Sequence, residues 1–231
     1  IIIPVEMLPR ESGFLVFTKP ISEKTVRTPN FRKKEEVQQI EGKWNVSFDP
    51  RWGGPKQVVF DKLHDWAENP DKGIKYYSGI AKYKISFNAA DVSASILDLG
   101  IVKNMARVIL NGKELGIVWC TPWQVQVPQG LLKSQGNTLE IEVANTWANR
   151  MIGDEQYPDD AEYINPGTPG DRPGGYDKYT QGYGLKELPD WFIKNKRRPV
   201  KDRYTFTSWK FYNKDSPLQQ SGLIGPVTLQ K

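Results

Sequence analysis

Between residues 42 and 147 apolar and polar side chains alternate repeatedly, and this period of two limits what the chain can fold into. GKWNVSF places Trp44, Val46 and Phe48 on one face, as a half-buried strand does. GIAKYKISF sets Ile80 or Ala81 with Tyr83, Ile85 and Phe87, and GNTLEIEVANTW sets Leu139, Ile141 and Val143. KQVVF, SILDLG and QVQV read as shorter strands between them. In ARVILNGKELGIVW the pair Asn111-Gly112 stands between two apolar runs. Asn and Gly both tolerate φ > 0, so a tight hairpin is expected there.

Further along, RYTFTSWKFY restores the alternation, with Tyr204, Phe206, Ser208 and Lys210 opposed to Thr205, Thr207, Trp209 and Phe211. LIGPVTLQ reads as a closing strand, and FLVFTKP offers an early one over residues 14–18. The 8 Trp, 10 Tyr and 9 Phe can build a substantial core, while 17 Pro and 20 Gly punctuate the chain too often for long helices. The expected fold is all-β, a β-sandwich of jelly-roll type with long irregular loops. Residues 1–38 read as a lead-in strand and linker from a preceding domain, and residues 39–231 as the sandwich. Residues 149–190, broken by Pro158, Pro166, Pro169, Pro173 and Pro189, are expected to form no regular element.

Several functions are disfavoured by what the chain contains. A single cysteine, Cys120, excludes an internal disulfide, and with one histidine, His64, no zinc site of Cys/His composition can be assembled. His64, in FDKLHDWAENP, is expected to cap or pack a short loop. No stretch reaches the roughly 20 apolar residues of a membrane-spanning helix. IIIPVEMLPR is too short and interrupted for a signal peptide, and reads as a start excised from a longer polypeptide. The net charge is +5, and much of it sits in KNKRRPVKDR. That run suits a nucleic-acid patch or a solvated loop; without a nucleic-acid-binding motif the loop is expected.

The stretch NTWANRMIGDEQYPDDAE raises the question of chemistry. A glycosidase needs two carboxylates about 5 to 9.5 Å apart across one cleft, one of them with a raised pKa. Asp154, Glu155, Asp159, Asp160 and Glu162 supply the residue type. Acids this dense on a Pro-bearing loop are more often solvated, or paired with Arg150 and the basic stretch, so no catalytic residue is assigned. The same acids offer oxygen ligands of the kind Ca²⁺ takes, but without the spacing of an EF-hand loop, so no metal site and no cofactor are expected. GTPGDRPGGYDKYTQGYG is glycine-rich but lacks the Gly-Lys-Ser/Thr of a phosphate loop. Packing against another domain suits it better.

Sugar binding asks for aromatic faces with Asp, Asn or Arg beside them to fix hydroxyls. The candidates are Trp119, Trp123, Trp147, Arg150, Asp154 and Tyr157. Against this stands a structural reading. There Trp119 and Trp147 continue their strands into the core, and Arg150 bridges to Asp154. Trp123, after Pro122, is expected to be the most exposed of the three tryptophans.

The run LDLGIVKNMARVILNGKELGIVWCTPWQVQVPQGLLKSQGNTLEIEVANTW resembles the sugar-binding β-sandwich of family 2 glycoside hydrolases and other galactose-binding-like domains. Within it, Gly100 and Gly112 supply turn conformations, and Asn137 is placed to hydrogen-bond turn backbone. NTWANRMIGDEQYPDD, LPDWF and RPVKDRYTFTSWKFYNKDSPLQQSGLIGPVTL are similar to the C-terminal region of glycoside hydrolase family 106, the α-L-rhamnosidase-like proteins of Bacteroidetes. NRMIGDEQ and SGLIGPV are its more specific parts. The resemblance spans residues 13–229.

In that family the catalytic carboxylates, and a calcium near them, belong to a larger upstream barrel, and no position here matches them. The resemblance therefore implies a non-catalytic accessory domain whose partners are the catalytic barrel of the same polypeptide and a plant or microbial glycan, rhamnose-containing ones included. An autonomous carbohydrate-binding module is the alternative, and an enzyme in its own right a third. The resemblance also implies a periplasmic or cell-surface location.

Overall fold

A computed structural model of the chain describes residues 34–164 and 184–231, together with residues 3, 5, 7 and 12–18. The glycine- and tyrosine-rich loop singled out above falls, over residues 167–183, outside the described residues.

The strands in chain order are β1 (Glu36–Gln39), β2 (Trp44–Ser47), β3 (Val58–Phe60), β4 (Ile80–Phe87) and β5 (Ile96–Asp98). Then come β6 (Ile101–Lys103), β7 (Met105–Leu110), β8 (Lys113–Val118), β9 (Gln124–Gln126) and β10 (Asn137–Ala144). The last are β11 (Tyr163–Ile164), β12 (Gly184–Leu185), β13 (Gly222–Gly225) and β14 (Thr228–Gln230). Among the described residues three short α-helices, α1 (Lys72–Lys75), α2 (Ala148–Asp154) and α3 (Asp190–Ile193), lie between strands.

An antiparallel six-stranded sheet runs β3-β2-β4-β10-β7-β8, and an antiparallel four-stranded sheet runs β1-β14-β5-β9. They bury one core, to which Trp44, Tyr83, Val108 and Ile141 come from the first and Leu97, Val125 and Leu229 from the second. The molecule is an all-β sandwich.

The alternation in sequence is the alternation of burial. In β4 the buried set is Ala81, Tyr83, Ile85 and Phe87, which leaves Ile80 outward; in β10 it is Leu139, Ile141 and Val143. On the outward face, Glu140 lies opposite Lys84, and Glu142 opposite both Lys82 and Arg107. These pairs form a ladder of ion pairs with Glu114, at 2.5 to 3.2 Å.

The hairpin between β7 and β8 turns at Asn111 and Gly112, with φ of 52° and 80°. Asn137 carries the bonds expected of it. Its Oδ1 accepts from Lys133 N at 2.9 Å and from Asn111 Nδ2 at 2.9 Å, and its Nδ2 donates to Lys133 O at 2.6 Å. Gly100 has φ of 66°, and a Cβ there would lie 2.3 Å from the carbonyl carbon of Gly225. His64 packs its ring 4.3 Å from Phe60 and bonds Lys62 O and Asn69 Nδ2. The carbonyl can only accept, so Nδ1 carries the proton and Nε2 accepts from Asn69.

Three expectations are corrected. Residues 14–18 form no strand, since no ladder among the described residues takes their backbone; Phe14 is 97% exposed. Residues 149–190 were expected to hold no regular element, yet most of α2 and the short strands β11 and β12 fall within them, and α3 begins at Asp190. RYTFTSWKFY belongs to no named strand, and among the described residues its one bridge is Trp209 to Gly184. Its backbone is taken elsewhere. The amides of Tyr204 and Thr205 donate to Asp154, and the carbonyls of Arg203, Thr205 and Thr207 accept from Arg198 and Tyr163 side chains.

Candidate functional site

The acid-rich stretch begins where β10 leaves its sheet. Asn145 closes that exit: its Oδ1 accepts from Gly79 N at 3.0 Å and its Nδ2 donates to Tyr77 O at 2.9 Å. One turn later Asn149 is buried. Its Nδ2 donates to Gln219 O and Ser221 Oγ, and its Oδ1 accepts from Gln219 N. Ser221 N in turn donates to buried Asp65. Thus NRMIGDEQ and SGLIGPV are joined by a direct hydrogen bond, Asn149 Nδ2 to Ser221 Oγ, beneath the surface. Glycine is required twice in this contact. A Cβ on Gly153 would lie 2.5 Å from Arg150 Nη2 and from Tyr76 Cβ, and one on Gly222 would lie 2.4 Å from the Trp66 indole nitrogen.

Arg150 and Asp154 follow at i and i+4 on α2, 3% and 1% exposed. Arg150 Nε lies 3.0 Å from Asp154 Oδ1, as an ion pair without hydrogen-bond alignment. The guanidinium sits over the Tyr204 ring at 4.9 Å. Burial, chiefly, with Asp202 helping, raises the pKa of the Tyr204 phenol. Asp154 accepts from Tyr204 N at 3.0 Å, Thr205 N at 2.6 Å and Thr205 Oγ1 at 2.6 Å. A charge buried this deeply persists only when so paired.

The remaining acids are held in the same manner. Arg203 donates to Tyr157 O, Pro158 O and, at 2.9 Å, Glu155 Oε1. Lys210 bridges Glu155 at 3.3 Å and Asp159 at 2.6 Å. Burial works to lower the pKa of that ammonium, but the Asp159 hydrogen bond and the Glu155 charge outweigh it, and the pKa is raised. Arg198 pairs with Asp160, whose side chain is 1% exposed, and stacks over Trp191 at 5.1 Å. Glu162 pairs with Lys186 at 2.9 Å. The chemistry available here is that of a clasp: α2 and the acids after it hold residues 198–210 through charge-assisted hydrogen bonds. Among the described residues, no group of three or more His, Cys, Asp or Glu side chains is arranged to hold a metal ion.

The six sugar-binding candidates are distributed differently from expectation. Trp119, expected to continue into the core, is 70% exposed, because its place after buried Val118 turns it outward. Trp123, expected to be the most exposed, is half-buried against the core, and its carbonyl accepts from Leu99 N at 2.8 Å. Both lie on the link from β8 to β9. Trp147 is 45% exposed at the start of α2 and meets Trp52 edge-on, centroids 4.9 Å apart. Arg150 and Asp154 are interior, and Tyr157 is half-buried with its carbonyl gripped by Arg203.

Trp52 and the cations Arg198, Arg203 and Lys210 were not among the candidates. Trp52 could have been suspected from the RWGGP turn alone. The cations were foreshadowed by an acidic segment and a basic one of matching size, but their individual pairings depend on the fold.

No family model matches the chain. A protein of Formosa agariphila named "Putative beta-glucuronidase" is 36% identical over 195 residues, which are 82% of this chain and 15% of that protein. The rhamnosidase from Novosphingobium sp. PP1Y superposes with a TM-score of 0.65 and 28% identity, over 90% of this chain and 16% of that one. The relatives are glycoside hydrolases. The chain spans less than one fifth of the length of either.

Proposed function

We propose that this chain is a non-catalytic accessory β-sandwich of a rhamnosidase-like glycoside hydrolase. It packs on the catalytic domain of the same polypeptide and contributes to holding glycan. Within this reading the sandwich is galactose-binding-like, of jelly-roll type, and belongs with family 106; the lead-in precedes β1, which starts at Glu36 and pairs with β14, so the domain takes in residues 36–38 as well as 39–231. The observation that carries it is the clasp. Asp154 and Asp160 are buried and paired, and Glu155 and Asp159 are bound by Arg203 and Lys210, so the acids best placed for glycosidase chemistry serve the fold. The small share of each hydrolase that the chain matches supports the same reading. A periplasmic or cell-surface location goes with it; among the described residues no helix is long and apolar enough to cross a membrane.

An autonomous carbohydrate-binding module is the second reading, favoured by the exposure of Trp119 and Trp147. Assaying the chain with an aryl α-L-rhamnoside and an aryl β-glucuronide tests the first reading. No turnover is expected. Turnover that Glu155→Gln or Asp160→Asn abolishes in a folded protein would overturn it. Calorimetry with rhamnose-containing oligosaccharides, and Trp119→Ala as control, separates the second: tight binding by the isolated chain favours the module.

A further inference from the structure

The six cations of residues 194–203 divide into two sets. Lys194 pairs with Asp190, Arg198 with Asp160 and Arg203 with Glu155. Lys196, Arg197 and Lys201 are exposed, with no ion-pair or hydrogen-bond partner for their side chains among the described residues. Asp202 is the only acid in the stretch, so the unpaired side chains carry three positive charges against one negative, a balance of +2.

The paired set fixes the backbone that presents the unpaired one. Arg198 donates through Nη1 to Arg203 O at 3.1 Å and through Nη2 to Thr205 O at 2.8 Å. Lys196 N donates to Trp191 O at 2.8 Å. The chain turns at Asn195 and Asp202, with φ of 48° and 70°. Between these turns lies an open groove of about 500 Å³, lined by Arg197, Arg198, Pro199, Val200, Lys201 and Arg203. Just before it in the chain, Phe192 is 50% exposed, its ring stacked on Phe206 at 5.0 Å.

A preformed groove with cations on its rim loses little side-chain and backbone freedom on binding an extended anion, which favours affinity. Arginine matches carboxylate or sulfate with a planar fork, and lysine adds point charges. We propose that this groove binds an anionic glycan through Arg197 and Lys201, with the exposed Lys196 next to it in the chain adding a third charge. The preference for glycan over nucleic acid rests on the function proposed above; the charge and shape of the groove do not.

The test is binding of the whole chain to polygalacturonate, dextran sulfate, neutral dextran and a DNA duplex by affinity electrophoresis and calorimetry. Binding to polygalacturonate or dextran sulfate, and not to neutral dextran, is expected, and whichever is held more tightly identifies the anionic group. Affinity should fall about tenfold between 50 and 200 mM NaCl, as for a few charge contacts. The triple variant K196Q/R197Q/K201Q should bind at least about tenfold more weakly with an unchanged unfolding midpoint. If it fails to fold, Arg197→Gln alone, at an exposed position, carries the comparison. Retained affinity in the variant, equal binding of neutral dextran, no binding of either polyanionic glycan, or tighter binding of DNA would each overturn the proposal. Failure here leaves the hydrolysis assay unaffected, so the two readings fail separately.

Discussion

Asp154 holds Thr205 by both its backbone amide and its hydroxyl, each at 2.6 Å, across 51 residues of chain. That contact takes the backbone donors at the start of residues 204–211, which form no named strand among the described residues. The strand-forming donors of Tyr204 and Thr205 are directed to a carboxylate.

Removing that carboxylate should be severe. Asp154→Ala leaves Arg150 buried opposite no charge and two amides without an acceptor, a loss of about 3–5 kcal/mol. Glu142→Gln, on the outward ladder, should cost less than about 1 kcal/mol, since exposed pairs contribute little. Urea unfolding of the two variants checks the contrast; equal losses would contradict it.

Gly153 sits in a helix, where alanine ordinarily gains about 1 kcal/mol over glycine. Here the added methyl meets Arg150 and Tyr76 at 2.5 Å. Gly153→Ala should therefore destabilise by about 1–3 kcal/mol, as overpacking does. A raised melting midpoint would show that the approach of α2 to Tyr76 is looser than described.

Alkaline pH should weaken the fold through Tyr83. Its buried hydroxyl accepts from Trp66 Nε1 at 2.5 Å and from Leu223 N at 3.2 Å. Burial raises its pKa far above the ordinary tyrosine value, more than those two donors lower it. The native state thus keeps a proton that the unfolded chain releases near pH 10. This contribution is fully present below about pH 10 and is lost as pH rises through the native pKa. Tyr83→Phe should cost about 1–3 kcal/mol at neutral pH, because two buried donors lose their acceptor. It should also flatten the fall of stability above pH 10 by up to about 1.4 kcal/mol per pH unit. An unchanged alkaline slope would contradict the assignment.

Truncation of Trp119 should be tolerated where truncation of Trp44 is not. Trp119, 70% exposed, should change stability by no more than about 0.5 kcal/mol as Ala; Trp44, 2% exposed, should cost about 3–5 kcal/mol. Thermal unfolding of the two Ala variants provides the comparison.

The sheets were legible in sequence because alternation reports burial directly: Tyr83, Ile85, Leu139 and Ile141 fall inward as their spacing requires. The Asn111-Gly112 turn was equally plain, since its backbone demands those residues. Residues 204–211 misled for the same reason. Alternation reveals two faces, but not whether the backbone is paired to a strand or to a side chain 51 positions away. In the acid-rich stretch, composition displayed charge and concealed its partners. Arg150 and Asp154 could be paired from local spacing, whereas Arg198 with Asp160 and Lys210 with Asp159 exist only once the loops are folded together. Trp123 was misjudged because a residue after a proline can face either way; its place is set once its carbonyl takes the Leu99 amide and its ring meets the core.

Amide hydrogen exchange, compared between the native chain and Asp154→Asn, tests the clasp most directly. The account predicts that Tyr204 and Thr205 amides are protected in the native protein and exchange about 100-fold faster in the variant, while amides of β4 and β10 keep their protection. Unchanged protection at Tyr204 and Thr205 would contradict it, and would return the carboxylates of this stretch to the search for chemistry.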